Sequence, residues 1–149
     1  MPALQTVVEA GPDVIGHNLE TTEPLTPKVR DPRASYHQSL KVLERVKDLN
    51  ERVFTKSSLM FGLGEREEDV LKTFRDLRAV GTDFLTLGQY LRPSPRNLPV
   101  MEYVTPERFG HYQKVAEDLG FLYVASGPLV RSSYRAGEYF THKMIRPIP

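Results

Sequence analysis

Apolar residues fall into two kinds of pattern along this chain. Four short, nearly continuous runs, at residues 14–19, 54–61, 84–91 and 121–125, read as buried strands. Three segments between them repeat at helical spacing. Residues 35–50 place Leu40, Leu43, Val46 and Leu49 near one face. Residues 65–80 place Val70, Phe74 and Leu77 on one face with Leu71 beside them. In that segment the acids Glu67, Glu68 and Asp69 precede the bases Lys72, Arg75 and Arg78, the polarity a helix macrodipole favours. Thr105-Pro106-Glu107 is a helix start, with threonine as N-cap, proline in the first turn and an acid next. Phe109, Tyr112, Ala116 and Leu119 then form the expected buried stripe, and Gly120 stands where a C-terminal cap glycine belongs.

The order β-α-β-α-β-α-β predicts an α/β fold with a parallel sheet and right-handed crossovers. Parallel strands need cover on both faces, and these runs are apolar enough to receive it. Residues 92–105 form a long, proline-rich loop after the third strand, and loops after strands carry the chemistry of α/β proteins. Residues 141–149 read as a frayed tail.

Composition narrows the possibilities. The chain has 149 residues, enough for one domain, of which 40% are hydrophobic and 26% charged, the balance of an ordered globular chain. A net charge of +1 gives no bulk electrostatic case for nucleic acid or membrane. The apolar runs are far too short for a membrane span. The opening MPALQTVVEAGPD shows neither a basic region followed by an apolar core nor an Arg- and Ser-rich leader. There is no cysteine, which excludes disulfides, thiolate zinc sites and an iron–sulfur cage built by this chain alone.

Candidate chemistry gathers at the C-terminal ends of the expected strands. The first run ends in His17-Asn18-Leu19-Glu20-Thr21, which reads either as capping and surface polarity or as a polar lip over a ligand. The second passes from Ser57-Ser58-Leu59-Met60-Phe61 through Gly62-Leu63-Gly64 into Glu65. Its glycine spacing is neither a P-loop nor the dinucleotide fingerprint, and a simple βα turn accounts for it equally well. The third ends in Gly88-Gln89-Tyr90-Leu91-Arg92, with Gln89 and Tyr90 able to bond a ligand edge and Arg92 and Arg96 able to meet anions, or to be a solvated basic loop. After the fourth comes Gly127-Pro128-Leu129-Val130-Arg131-Ser132-Ser133-Tyr134, whose serines lack a His/Asp partnership that would make a nucleophile. His17, His37, His111 and His142 show no metal-ligand spacing and are expected on surfaces, His17 excepted.

Taken together, HNLET, LTPKVRDPRASYHQSL, TKSSLMFGLGE, LTLGQYLRPSPR and ASGPLVRSSYRAGEYF resemble the lipoyl synthases, a radical S-adenosylmethionine family, over roughly residues 10–140. The resemblance implies a partial (β/α)₆ barrel of which residues 1–149 are one partial domain, the C-terminal half with its extension. It implies two 4Fe-4S clusters and S-adenosylmethionine as cofactors of the intact enzyme, and insertion of two sulfur atoms into an octanoyl chain on a lipoyl-carrier protein domain. It also implies bacterial cytoplasm or, in a eukaryote, mitochondria. By motif match, Ser133 is the auxiliary-cluster ligand and Arg131 lies beside cluster or substrate. Asn18 and Glu20 contact the amino-acid or ribose part of S-adenosylmethionine. Ser58, Gly62 and Glu65 match the superfamily pattern G-x-I-x-G-x-x-E along the adenine, Ser58 and Met60 replacing the first Gly and the Ile. Gln89 and Tyr90 complete that site, and Arg30 pairs with a carboxylate. The family's two sets of three cysteines belong to an N-terminal half. The expectation is therefore no stable cluster and no activity in this chain alone, and self-association through the open edge of the first strand. The alternatives are a subunit of a split enzyme and a non-catalytic adenosyl-binding or interaction module.

Overall fold

The computed structural model describes residues 2–132. Its elements are α1 (Pro2–Glu9), β1 (Val14–Gly16), a 3-10 turn (Glu23–Leu25), α2 (Thr26–Val29), α3 (Tyr36–Leu49), β2 (Phe54–Phe61), α4 (Glu67–Ala79), β3 (Phe84–Gln89), α5 (Pro106–Asp118) and β4 (Tyr123–Ser126). The strands form one sheet in the order β1-β2-β3-β4, every neighbouring pair parallel. Strands in sequence order with helices between them make an α/β, partial TIM-like fold.

The pleat sends alternate residues to opposite faces. Leu59 and Phe61 of β2, Leu85 and Leu87 of β3 and Val124 of β4 share one core with Leu40 and Leu43 of α3, Val70, Phe74 and Leu77 of α4, and Phe109, Tyr112 and Ala116 of α5. Aromatic rings tie this layer together, with Phe61 5.0 Å from Tyr112 and Phe74 edge-on to both Tyr112 and Phe121. A second cluster joins Val8, Val46 and Val53 at the opposite end of the strands. The other face of β2 and β3 carries Lys56, Ser58 and Met60 beside Phe84, Thr86 and Gly88, with Thr86 Oγ1 donating to Ser58 Oγ at 2.8 Å.

The expected N-cap forms, Thr105 Oγ1 accepting from Arg108 N, and the structure adds a second in Ser35, whose Oγ accepts from Gln38 N. Gly120 takes φ +101 after α5, as a cap glycine should. Three boundaries depart from expectation. The first run is a strand only over Val14–Gly16, because the chain beyond it carries an extra residue against β2. The third strand stops at Gln89 and the fourth spans Tyr123–Ser126. Leu119 is exposed rather than part of the buried stripe, since α5 ends at Asp118 and Leu119 turns outward at the cap. The 3-10 turn and α2, each opened by a proline (Pro24, Pro27), are too short to show a periodicity.

Candidate functional site

The end of β1 is shaped by its pairing with β2. His17 N donates to Lys56 O and Glu20 N to Ser58 O, so three residues advance on one side against two on the other. The extra residue is absorbed as a bulge in which Leu19 N bonds the buried Ser57 Oγ and Leu19 plugs the core. Glu20 then sits at φ +68, pinned between Ser58 and Met60 by bonds of 3.0 and 2.8 Å. A non-glycine residue in that region is strained by about 1–2 kcal/mol. The bulge leaves Asn18 and Glu20 lining a cavity of about 250 Å³ together with Ser58, Gln89 and Arg131. Met60, Leu91 and Val130 add apolar walls. The structure thus brings five of the nominated residues around one cavity.

The remaining nominated residues shape its surroundings. Glu65 folds back so that its carboxylate accepts from Gly62 N (2.9 and 3.1 Å) and Leu63 N (3.0 Å). It is therefore the clamp of the βα turn, and α4 begins only at Glu67. Gly62 lies at φ +102, where a Cβ would stand 2.3 Å from Gln89 Nε2 and 2.4 Å from Glu102 O. The Gln89 amide donates to Tyr90 O and Glu102 O and accepts from Val104 N, each within 3.0 Å, so it ties the loop after β3 to the strand. Tyr90 faces a neighbouring groove of about 490 Å³ and donates to Leu98 O at 2.7 Å. Arg92 donates to Asn97 O and Pro95 O within its own loop.

Arg30 lines an adjoining open pocket of about 560 Å³ with His17, Asn18, Glu20, Lys56 and Ser132. Its Nη1 donates to Ser39 Oγ at 2.9 Å, and His17 Nε2 lies 3.0 Å from that oxygen. A guanidinium can only donate, so Ser39 Oγ accepts from Arg30 and keeps its proton, which a neutral His17 Nε2 is placed to accept. Burial, and then the Arg30 charge, pull the His17 pKa below the ordinary histidine value in agreement. His37 and His111 lie exposed beside Glu23 and Glu67. Ser133, His142 and residues 141–149 lie outside the described residues.

Lys56 was not singled out by its chemistry, though a lysine inside an apolar strand run was the available signal. It is half-buried on the site face of β2 and donates to Ser132 O. Burial pushes its ammonium below the usual lysine pKa.

Over nearly its whole length the chain is similar to known proteins. The mitochondrial lipoyl synthase of Culex quinquefasciatus is 56% identical over 146 residues, 98% of this chain and 38% of that protein. The apicoplast lipoyl synthase of Toxoplasma gondii is 57% identical over 143 residues, 96% of this chain and 26% of that protein. The mitochondrial lipoyl synthase of Phytophthora infestans is 57% identical over 143 residues, 96% and 37% respectively. The chain thus spans less than two fifths of the length of these relatives. Among solved structures, the dihydrodipicolinate synthase of Agrobacterium tumefaciens str. C58 aligns at TM-score 0.47 and 16% identity, over 82% of this chain and 35% of that one. The radical SAM superfamily profile matches residues 2–77, more than half of the chain, and the chain belongs to that superfamily.

Proposed function

We propose that this chain supplies the adenosyl-binding strand ends of a lipoyl synthase, which inserts sulfur into a protein-bound octanoyl chain. The observation that carries the reading is the convergence of Asn18, Glu20, Ser58, Gln89 and Arg131 on one cavity, in a chain that shares more than half its residues with lipoyl synthases over nearly its whole length. The donor set fits S-adenosylmethionine. The Glu20 carboxylate accepts from an ammonium or a ribose diol, the Asn18 amide offers both donor and acceptor, and Met60 and Leu91 give the ring an apolar wall. In that reaction the cofactor supplies the carbon radical that abstracts hydrogen.

The residues present do not fit an iron–sulfur cluster. The chain has no thiolate, and the described residues contain no group of three His, Asp or Glu that could hold a metal. A hydroxyl alone is a poor iron ligand. The clusters would have to be held by thiolates from a partner segment, so the chain alone would be inactive. The octanoylated lipoyl-carrier domain is the proposed substrate protein. The organelles named for the relatives are the proposed location if the source is eukaryotic.

The reading is tested by calorimetric titration with S-adenosylmethionine, using the chain co-purified with a cysteine-bearing segment and loaded with iron and sulfide. Glu20→Gln and Asn18→Ala should each weaken binding by about tenfold, the scale of one hydrogen bond to a charged or buried group. Affinities unchanged in both variants would remove this cavity from the cofactor site. The chain without that segment should bind too weakly to measure, because the methionine end would lack its cluster iron.

A further inference from the structure

The segment after β4 does not leave the sheet. Gly127 N donates to Leu87 O at 3.1 Å, extending the ladder, and Val130 N closes a turn on Gly127 O at 3.1 Å. The chain then crosses the face that carries Lys56, Ser58, Thr86 and Gly88. Val130 O lies only 2.2 Å from where a Cβ on Gly88 would stand, and Arg131 Nη1 lies 3.7 Å from the same point. One residue further, Ser132 O receives the Lys56 ammonium. The segment therefore starts on β4, passes over β3 and is tied to β2. Arg131 lines the cavity between those two attachments.

We infer that Lys56 and Gly88 are positioning residues that latch residues 130–132 across the sheet face and so hold Arg131 at the cavity. The two act differently. Gly88 provides the space in which the Val130 carbonyl can lie on the strand, and any side chain there would lift it off. Lys56 provides the donor that captures the Ser132 carbonyl, its stem half-buried along the strand while the bond itself stands exposed. The value of the latch to catalysis rests on the lipoyl synthase reading; its existence does not.

The test uses the whole chain and the rate at which trypsin cuts after Arg131, resolved by mass spectrometry against the exposed Arg33 bond as internal reference. A protease needs several residues peeled from the surface, so the rate reports how often the latch opens. Lys56→Met should speed that cut about threefold relative to the reference, the factor for losing one solvent-exposed hydrogen bond. Lys56→Arg keeps a donor and should restore the wild-type rate, which a mere loss of stem packing could not explain. Gly88→Ala should also speed the cut, with Lys56 intact. Each variant is first shown to keep the wild-type circular dichroism and a cooperative melt. Lys56→Gln stands in if Lys56→Met does not fold, and Gly88→Ser if Gly88→Ala does not. Wild-type rates in the Lys56→Met and Gly88→Ala chains, or a Lys56→Arg chain as open as Lys56→Met, overturn the proposal. Cofactor titration is separate: if it fails while these rates change as stated, the latch stands and the functional reading falls.

Discussion

Adding one methyl group at Gly62 tests how the turn after β2 is built. At φ +102 a side chain is strained by about 1–2 kcal/mol before any contact is counted. The new Cβ would stand 2.3 Å from Gln89 Nε2 and 2.4 Å from Glu102 O, distances that carbon cannot occupy. The Gln89 amide must swing away, breaking its bonds to Glu102 O (3.0 Å) and Val104 N (2.9 Å). At about 1 kcal/mol for each buried bond, Gly62→Ala should lose about 3–4 kcal/mol in all. Gly110 supplies the control. It lies in α5 with open space around it, so Gly110→Ala should gain about 0.5–1 kcal/mol through helix propensity and a less flexible unfolded chain. Urea denaturation followed by circular dichroism reads both. The Gly62 variant should melt roughly 10 °C lower, at the few degrees per kcal/mol expected of a chain this size, and the Gly110 variant slightly higher. A cost of less than about 1 kcal/mol for Gly62→Ala would mean that neither backbone strain nor the Gln89 network is in force.

Three further outcomes follow from the same geometry. Glu65→Ala leaves Gly62 N and Leu63 N without their acceptor and should cost about 2 kcal/mol in urea denaturation, with Glu65→Asp recovering little because the shorter arm cannot reach both amides. Lys47 and Asp83 form a mostly buried pair at 2.6 Å, with Asp83 also accepting from Thr55 N; Lys47→Met strands that carboxylate and should cost about 2–4 kcal/mol, whereas Lys47→Met with Asp83→Asn should cost less. The His17 pKa is lowered in the fold, so between it and the unfolded value the unfolded chain binds more protons. Its contribution is complete above the ordinary histidine value of 6.5 and is lost as pH falls below it, so wild type should lose more stability between pH ~7.5 and ~5 than His17→Gln does, and an equal loss in both would refute the assignment.

Much of this was legible from local pattern. The strand-helix alternation, the Thr105 cap and the Gly120 terminus are short-range signals, and each formed as the residues indicated. Polar residues at the strand ends were equally visible, and Asn18, Glu20, Ser58, Gln89 and Arg131 share a cavity because parallel strands put all their C-terminal ends on one side. Three features were not legible because they depend on distant partners. The bulge that shortens β1 depends on Ser57 Oγ meeting Leu19 N across 38 positions. Gln89 and Glu65 are drawn on for loop and turn geometry, which a residue list cannot separate from ligand contact. Lys56 reaches across 76 positions to Ser132, so its place inside an apolar run marked it as unusual without naming its partner.

This chain is proposed to complete a lipoyl synthase when joined to the family's cysteines. Co-expression with a segment carrying the family's two three-cysteine sets, followed by reconstitution with iron and sulfide, tests it directly. The expected result is a brown, stoichiometric complex that converts an octanoyl-lysine peptide to the lipoyl product, read by mass spectrometry as the gain of two sulfur atoms. A colourless mixture in which the two chains elute separately would contradict it.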